Sequence, residues 1–456
     1  MTERDRGQWR AGRRTDQRRW SRPTLKGRIA VIGVKPAVRR IRARLTPGVA
    51  VGLTACLVIP VGAALLQLAD GSTPPQSTSS AAAPKPTARQ NRANGQETDE
   101  EKWDGRVKIL GDGSTSYTGP QPGQLKPERL KKGQKPPQFV VFSWDGALEG
   151  DDHTMSRFRK VAKVSNAHMT FFLTGLYLLP KDQSSLYLPP QHRAGSAAIS
   201  YPTREHIRMT LDQLSRAWKD GHEIGSHFNG HFCGKKGGGD WTTQEWTQEI
   251  DEFYSFVQNW KTNTGYKDLD PLPFDPTREV VGGRAPCLEG QKTLLPAMKP
   301  FGWRYDASSP GDFQTWPSKK NGIWDLPLQM LPFPGKEFQV LSMDFNFLYN
   351  QSGGSTEGDP AKYQDWRKET RDAYLAGFER VLHGSRAPMF FGNHFEDWNG
   401  GIYMDAVEDV MREICPQKEV RCVSFHELTD WLDAQDPKVL AEWRTLDPAQ
   451  PPSWKQ

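Results

Sequence analysis

Residues 138–146 read Gln-Phe-Val-Val-Phe-Ser-Trp-Asp-Gly. The apolar part, from Phe139 to Ser143, has the length and the β-branched and aromatic content of a buried strand, and Asp145 follows at its end. Runs of the same kind recur along the chain at 169–174, 222–226, 280–284, 303–307, 389–393 and 420–424. The sequence therefore predicts a series of buried strands.

Longer amphipathic stretches lie between these runs and predict helices at 155–166, 204–220, 243–264, 291–301, 363–383 and 403–414. Strands that alternate with helices favour parallel pairing, because the chain must cross back over the sheet before it forms the next strand. We therefore expect an α/β fold, specifically a distorted (β/α) barrel of about seven parallel strands.

Chemically useful side chains stand where several of these strands end. Asp145 follows the first strand, His227 follows the third, Arg284 ends the fourth and His394 follows a late one. A barrel collects its chemistry at the carboxyl ends of its strands, so these side chains are expected to meet on one rim. His231 lies four residues after His227. One carboxylate and two imidazoles suit a divalent metal such as zinc, and His394 suits an acid or base.

Each of these residues also has an ordinary structural interpretation. The two histidines of His227-Phe-Asn-Gly-His231 could be polar loop residues, and Arg284 could be a surface ion-pair partner. His394 stands among phenylalanines, where a histidine is commonly a buried residue with its hydrogen bonds satisfied. Their common position at strand ends favours the functional interpretation.

The order of these motifs resembles the polysaccharide deacetylase family, carbohydrate esterase family four, over about residues 138–432. The resemblance implies a reaction that removes N-acetyl groups from a glycan, with Zn²⁺ as the expected metal and Co²⁺ or another divalent ion as the alternative. It implies that Asp145, His227 and His231 are the metal ligands. It also implies that His394 is the general acid. Arg284 matches the arginine that orients the catalytic aspartate in the family, and with Trp144 at the position of that aspartate we expect Arg284 to contact substrate or a substitute carboxylate.

One departure from the family pattern affects catalysis. Trp144 stands where the family has the aspartate that acts as general base, and an indole cannot accept a proton from water. Asp306, at another strand end, is a candidate replacement, although it could equally be a turn cap before Ser308. Further candidates near the motif strands are Asp151, Asp152, Glu396 and Asp397. Without a base, the domain would be a glycan-binding pseudoenzyme.

Aromatic side chains stack on the apolar faces of sugar rings, and the chain has 16 tryptophans. Most tryptophans pack in cores or loops. We expect Trp241, Trp303 and Trp398, which lie close to the motifs in sequence, to contact the substrate.

The first 45 residues are strongly basic, with 15 Lys or Arg against 3 acidic residues. Because the whole chain has a net charge of only +6, the remainder is net acidic by 6 charges, which argues against nucleic acid as a partner of the folded body. Residues 46–69 contain no charged residue and are long enough to span a bilayer. The arginines before this stretch predict a cytoplasmic N-terminus and a catalytic domain outside the membrane.

These patterns divide the chain into a basic cytoplasmic tail (1–45), a single membrane anchor (46–69), a disordered linker (70–137), a deacetylase-like domain (138–435) and a C-terminal tail (436–456). Cleavage near Ala81 to Ala83 and secretion stay open as an alternative to the anchor. The partners expected from this arrangement are the membrane and an N-acetylated polysaccharide of the cell wall or cell surface.

Beyond Cys56 in the anchor, the chain has four cysteines, an even number that suits an oxidising compartment. Cys415 and Cys422 are close enough in sequence to close a small loop. We predict that the other two, Cys233 and Cys287, form a bond between the histidine and arginine motifs. Four buried free thiols are the alternative. A third function class also stays open, a membrane-tethered structural or interaction protein that uses neither metal nor sugar.

Overall fold

The computed structural model describes residues 103–311 and 313–454. The predicted basic tail, the predicted anchor with Cys56 and the predicted linker up to residue 102 lie outside these ranges. Within the described ranges, no helix combines the length and the apolarity needed to cross a bilayer.

The described residues form thirteen strands: β1 (Lys108–Leu110), β2 (Thr115–Tyr117), β3 (Gln138–Asp145), β4 (Thr170–Leu173), β5 (Glu223–Ser226), β6 (Gly282–Gly283), β7 (Tyr305–Asp306), β8 (Ser318–Lys320), β9 (Ile323–Asp325), β10 (Met330–Pro332), β11 (Gln339–Leu341), β12 (Met389–His394) and β13 (Val420–Cys422). All seven predicted strands are among them. The others are short pieces whose sequences lack a long apolar run.

The same ranges form eleven α-helices: α1 (Thr154–Ser165), α2 (Arg204–Lys219), α3 (Thr243–Gln258), α4 (Trp260–Thr264), α5 (Pro276–Glu279), α6 (Gln291–Met298), α7 (Asp344–Ser352), α8 (Tyr363–Leu382), α9 (Ile402–Ile414), α10 (Phe425–Ala434) and α11 (Pro437–Trp443). Short 3₁₀ turns lie at Gly175–Leu178, Lys181–Leu186, Pro286–Leu288, Lys299–Phe301 and Pro360–Lys362. Thr242 and Glu245 form a capping box that starts α3. The helix predicted over 243–264 is divided at Asn259, whose φ of −128° and ψ of 23° are not helical.

The central sheet has the order β12-β3-β4-β5-β6-β7-β9-β8, and β13 also pairs with β3. Every pair is parallel except β8 with β9. The predicted α/β class is confirmed, but the sheet is a curled half-barrel with eight parallel strands. Its two ends do not pair with each other in the described part of the chain, because β8 occupies the outer edge of β9.

Strand β3 is buried on both faces, and its side chains alternate between two apolar clusters. Phe139 and Val141 face the inside of the curled sheet, which α10 fills with residues such as Phe425. Val140, Phe142 and Trp144 face the layer of helices on the outside. This alternation also places Asp145 on the inner face.

The described part of the predicted linker, residues 103–137, is folded rather than disordered. Strands β1 and β2 form an antiparallel hairpin, and the Trp260 indole donates to the Ser114 carbonyl at 2.6 Å. Farther along, the Leu130 amide donates to the Gln435 side chain at 2.9 Å. These residues satisfy their backbone groups against the domain, so a sparse apolar content did not prevent order.

The predicted C-terminal tail also folds against the domain. The ring of Trp443 in α11 lies 4.5 Å, between centroids, from that of Trp316, and Trp431 lies beside both. All three are buried. The folded unit described here therefore runs from residue 103 to residue 454, beyond the predicted limits of 138 and 435.

The packing of Trp144 gives a test of the fold. Its ring centroid lies 4.0 Å from that of Phe158 and 4.4 Å from that of Phe395, and its Nε1 donates to the Met169 sulfur at 3.4 Å. We expect Trp144→Ala to lower the free energy of unfolding by about 3–5 kcal/mol, measured by urea denaturation, because it leaves a large cavity. Trp103→Ala, at a tryptophan that is 40% exposed, is the control and should cost much less. Equal losses in the two variants would contradict this packing.

Candidate active site

A cleft of about 200 Å³ opens at the carboxyl ends of the parallel strands, and Asp145, His227, His231 and His394 all line it. The structure therefore brings together the four residues that the sequence placed on one rim. Glu396, which follows His394, lines the same cleft. A larger cavity of about 550 Å³ lies near β13, and none of these residues lines it.

Beneath the cleft, Asp145 and Arg284 form a buried ion pair. Arg284 Nη1 lies 2.7 Å from Asp145 Oδ1, and the two side chains are 0% and 3% exposed. The guanidinium is also held by the Ser143 hydroxyl at 2.8 Å and the Ala307 carbonyl at 3.0 Å. Burial raises the pKa of Asp145, whereas the charge of Arg284, and after it those of His227 and His394, lower the pKa. The lowering effects outweigh burial, so the net shift is downward. Asp145 is therefore ionised at neutral pH.

The backbone before Arg284 is glycine because it passes close to its neighbours. A Cβ on Gly283 would lie 2.5 Å from the Ser226 carbonyl, and one on Gly282 would lie 2.5 Å from the Tyr305 ring. Any other residue would push β6 away from the strands on either side. The two glycines therefore let β6 lie close enough to its neighbours for Arg284 to reach Asp145.

His227 is fixed in one tautomer by a backbone carbonyl. Its Nδ1 lies 2.7 Å from the Arg284 carbonyl oxygen. A carbonyl oxygen can only accept, so Nδ1 carries the hydrogen and Nε2 keeps its lone pair. Burial lowers the pKa of His227 to about 3, although the Asp145 charge opposes this shift. His227 is therefore neutral and offers Nε2 as a ligand.

His231 completes the histidine pair across a tight loop. It has a left-handed φ of 56°, and its ring centroid lies 5.3 Å from that of His227. Burial lowers its pKa as well, so both imidazoles are neutral at pH 7. Two residues on, Cys233 is joined to Cys287, as predicted, and the bond ties this loop to the segment after Arg284. Cys415 and Cys422 form the second predicted disulfide.

Glu249 on α3 holds the loop between the two histidines from below. One of its carboxylate oxygens accepts from the Asn229 and Gly230 amides at 3.0 and 3.3 Å. The Tyr187 hydroxyl donates to the same carboxylate at 3.1 Å. Burial raises the pKa of Glu249 to about 7. This carboxylate was not singled out from the sequence, since it belongs to an ordinary amphipathic helix.

His394 is paired with an aspartate that the sequence did not identify. Its Nδ1 lies 2.7 Å from Asp344 Oδ1, and its backbone amide donates to Asp344 Oδ2 at 2.6 Å. Burial lowers the pKa of His394, but Asp344 outweighs burial and the pKa rises to about 9. His394 is therefore protonated at neutral pH, with Nδ1–H on Asp344 and the Nε2 hydrogen available for donation. Asp344 begins α7, a helix too short to predict from its pattern.

Trp144 does not lie in the cleft, because it faces the outer helices. The carboxylate that Arg284 holds is that of Asp145. The replacement of the general base by Trp144 stays a prediction.

Asp306 is outside the cleft. It is 1% exposed, and its Oδ1 accepts from the Ser308 amide at 3.0 Å, the turn-cap arrangement given as its alternative role. Burial raises its pKa to about 6. Its assignment as a catalytic residue is not supported, because its side chain is used to close a turn in the interior.

Two of the three predicted sugar-binding tryptophans are also structural. Trp241 and Trp303 are 3% and 4% exposed, and their indoles donate to the Lys236 carbonyl and the Tyr254 hydroxyl. Trp398 differs from them, because it is partly exposed and its ring centroid lies 5.3 Å from that of His394. Trp398 is thus the one tryptophan of the three beside the cleft.

A divalent cation takes neutral imidazoles and ionised carboxylates as ligands, and His227, His231 and Asp145 offer these groups in one cleft. Among the described residues, the three-residue group whose ligand atoms all lie within 4.8 Å of one another is His231 with Cys233 and Cys287, and those cysteines form a disulfide rather than thiolates. The ligand atoms of Asp145, His227 and His231 do not all lie within that distance of one another.

No protein-family model matches the chain, and no curated protein does. Among solved structures, the chain is similar to a protein described as a polysaccharide deacetylase from Mycobacterium smegmatis, with 15% identity over 68% of this chain and 96% of that chain and a TM-score of 0.41. It is also similar to a peptidoglycan deacetylase from Bacillus subtilis, with 12% identity, 65% and 92% coverage and a TM-score of 0.33.

A third similar structure is a pseudoenzyme of carbohydrate esterase family four from Bacillus anthracis, with 11% identity, 67% and 70% coverage and a TM-score of 0.34. The chain is thus similar to deacetylases and pseudoenzymes of the family that its motifs resemble.

The pairing of His394 with Asp344 predicts a particular pH dependence of stability. The pKa of His394 is higher in the folded protein, about 9, than its unfolded value near 6.5. The protonated ring therefore adds to the free energy of unfolding fully below pH 6.5, and this contribution is lost as pH rises through about 9. We expect Asp344→Asn to remove about 3 kcal/mol more at about pH 6 than at about pH 10, measured by urea unfolding. A difference between wild type and variant that stays constant with pH would contradict the pairing.

Glu249 gives a second prediction for this region. We expect Glu249→Ala to lower the free energy of unfolding by about 1–3 kcal/mol for each buried donor that it leaves without an acceptor. Glu249→Gln is the matched control, since it keeps one acceptor oxygen and should cost less. If urea denaturation shows equal losses for the two variants, the carboxylate does not hold the histidine loop.

Proposed function

We propose that this protein is a metal-dependent hydrolase that removes acetyl groups from an N-acetylated glycan. The observation that carries the proposal is the cleft that Asp145, His227, His231 and His394 line together. In it His227 is neutral and His394 is protonated at neutral pH. A neutral imidazole pair, an ionised carboxylate and a protonated imidazole are the groups that amide hydrolysis needs.

In this proposal, His227 and His231 hold the cation, with Zn²⁺ first and Co²⁺ as the alternative. Bound there, the ion would polarise the acetyl carbonyl and make water more acidic. Two histidines leave further coordination positions for water and substrate. Asp145, which keeps Oδ2 when Arg284 takes Oδ1, would either complete the ligand set or act on the water.

We assign Asp145 to proton removal. Arg284 holds one of its oxygens, and the lowered pKa keeps the group ionised and ready to accept. After water has lost its proton to Asp145 and attacked the carbonyl carbon, His394 donates its Nε2 hydrogen to the nitrogen as the carbon–nitrogen bond breaks. The products are acetate and a free amino sugar. Asp344 stabilises the imidazolium until that donation.

The proposal includes a location outside the cytoplasm, on the membrane anchor predicted at 46–69 or as a secreted form. The support is the pair of disulfides, which persist in oxidising compartments. A glycan of the cell wall or cell surface is the substrate that a domain in this place would meet.

A glycan-binding pseudoenzyme is the second candidate function. It is favoured by the spacing of Asp145, His227 and His231, whose ligand atoms, among the described residues, do not all lie within 4.8 Å of one another. Trp144, which cannot accept a proton from water, also favours it. The two candidates differ in turnover but share the fold and the ligand.

Acetate release separates the two candidates. We expect the purified protein, supplied with Zn²⁺ or Co²⁺, to release acetate steadily from a tetramer of N-acetylglucosamine. His227→Ala and His394→Ala should each reduce the rate by about 100-fold or more. His383→Ala, at an exposed histidine just after α8 that does not line the cleft, is the control and should keep the wild-type rate. Binding of the tetramer without acetate release would identify a pseudoenzyme.

A further inference from the structure

Aromatic rings continue outward from the cleft along one side of α7. The Trp398 ring centroid lies 5.3 Å from that of His394, and the Phe345 centroid lies 6.0 Å from that of Trp398. Tyr349 follows Phe345 by one helical turn. Phe345 and Tyr349 are 47% and 52% exposed, so two large rings of this helix face solvent.

The geometry of α7 makes these rings one surface. At 3.6 residues per turn, Phe345 and Tyr349 lie about 40° apart around the helix, whereas Phe347 lies about 160° from Phe345. Phe347 is buried and anchors the opposite face. The four-residue step moves the second ring about 6 Å along the axis, on the order of the length of one sugar residue.

The helix is also fixed relative to the reacting groups. Asp344, its first residue, holds His394 through both carboxylate oxygens. Any sugar ring stacked on Phe345 is thereby held at a set distance from the proposed general acid. The Trp398 ring, which lies near both Phe345 and His394, connects the exposed rings to the cleft.

The residues of α7 indicate which class of ligand it suits. The segment Asp-Phe-Asn-Phe-Leu-Tyr-Asn-Gln-Ser at 344–352 has no lysine or arginine, so it offers nothing for an anionic lipid surface or a nucleic acid. Exposed rings that can stack suit a neutral polysaccharide, whose sugar rings have apolar faces.

We propose that Phe345 and Tyr349, together with Trp398, form a subsite that binds the glycan chain on one side of the sugar being deacetylated. The inference rests on the proposed function, since it makes the substrate a polymer rather than a single sugar. It predicts that the protein prefers longer oligosaccharides, because only these reach from the cleft to Tyr349.

The test compares oligomers of N-acetylglucosamine from dimer to hexamer. For the wild type we expect kcat/KM to rise with length, and for Phe345→Ala/Tyr349→Ala we expect the hexamer-to-dimer ratio of kcat/KM to fall by about 10-fold, mainly through KM. Phe338→Ala is the matched control: this residue is 49% exposed, but it packs on Phe333, which contacts the buried side of α7 through Phe347. It should keep the wild-type ratio.

Hexamer binding, measured by calorimetry, separates the failure of this inference from the failure of the proposed function. If no acetate is released but the double variant binds the hexamer about 10-fold more weakly than wild type and the Phe338 variant, the subsite stands and the catalytic proposal falls. If the double variant matches the wild type in hexamer affinity and in length preference, the subsite is refuted. Absence of hexamer binding by the wild type would also refute it.

Discussion

The buried contact between Arg284 and Asp145 is the constraint on which the rest of the cleft depends. Two charges removed from water are costly unless each is paired and hydrogen-bonded, and removing one partner typically costs about 3–5 kcal/mol. Here the guanidinium has the carboxylate, a hydroxyl and a carbonyl as partners. The pair can form only because Asp145 falls on the inner face of β3, and because two glycines bring β6 close to its neighbours.

Arg284 organises the site through its main chain as well as its side chain. The guanidinium fixes Asp145, while the carbonyl of the same residue fixes the tautomer of His227. The orientation of the carboxylate and the availability of the imidazole lone pair therefore depend on one residue. The disulfide from Cys233 to Cys287 and the carboxylate of Glu249 hold the loop of His231 against this centre. One residue, Arg284, thus positions groups that come from distant segments of the chain.

Much of this arrangement is predictable from sequence, because parallel strands end on the same rim. The seven strands were predicted from their apolar runs, and the convergence of Asp145, His227, His231 and His394 followed from that rule. Asp344 and Glu249 were missed, since a side chain on a short or ordinary helix has no local signal of what it will contact. The orientation of Trp144 follows from strand geometry. Adjacent residues of a strand face opposite sides, so a tryptophan beside Asp145 must face the helices.

His227 and His394 have identical side chains, but their surroundings give them different protonation states. His227 and His394 both lie in a water-poor cleft, where burial alone would make each of them neutral. A backbone carbonyl, which has no charge, leaves His227 neutral with a free Nε2. The Asp344 carboxylate, in contrast, adds a full negative charge beside His394 and keeps that ring protonated. Because the first ring can only accept at Nε2 and the second can only donate there, each can perform only one part of a hydrolysis.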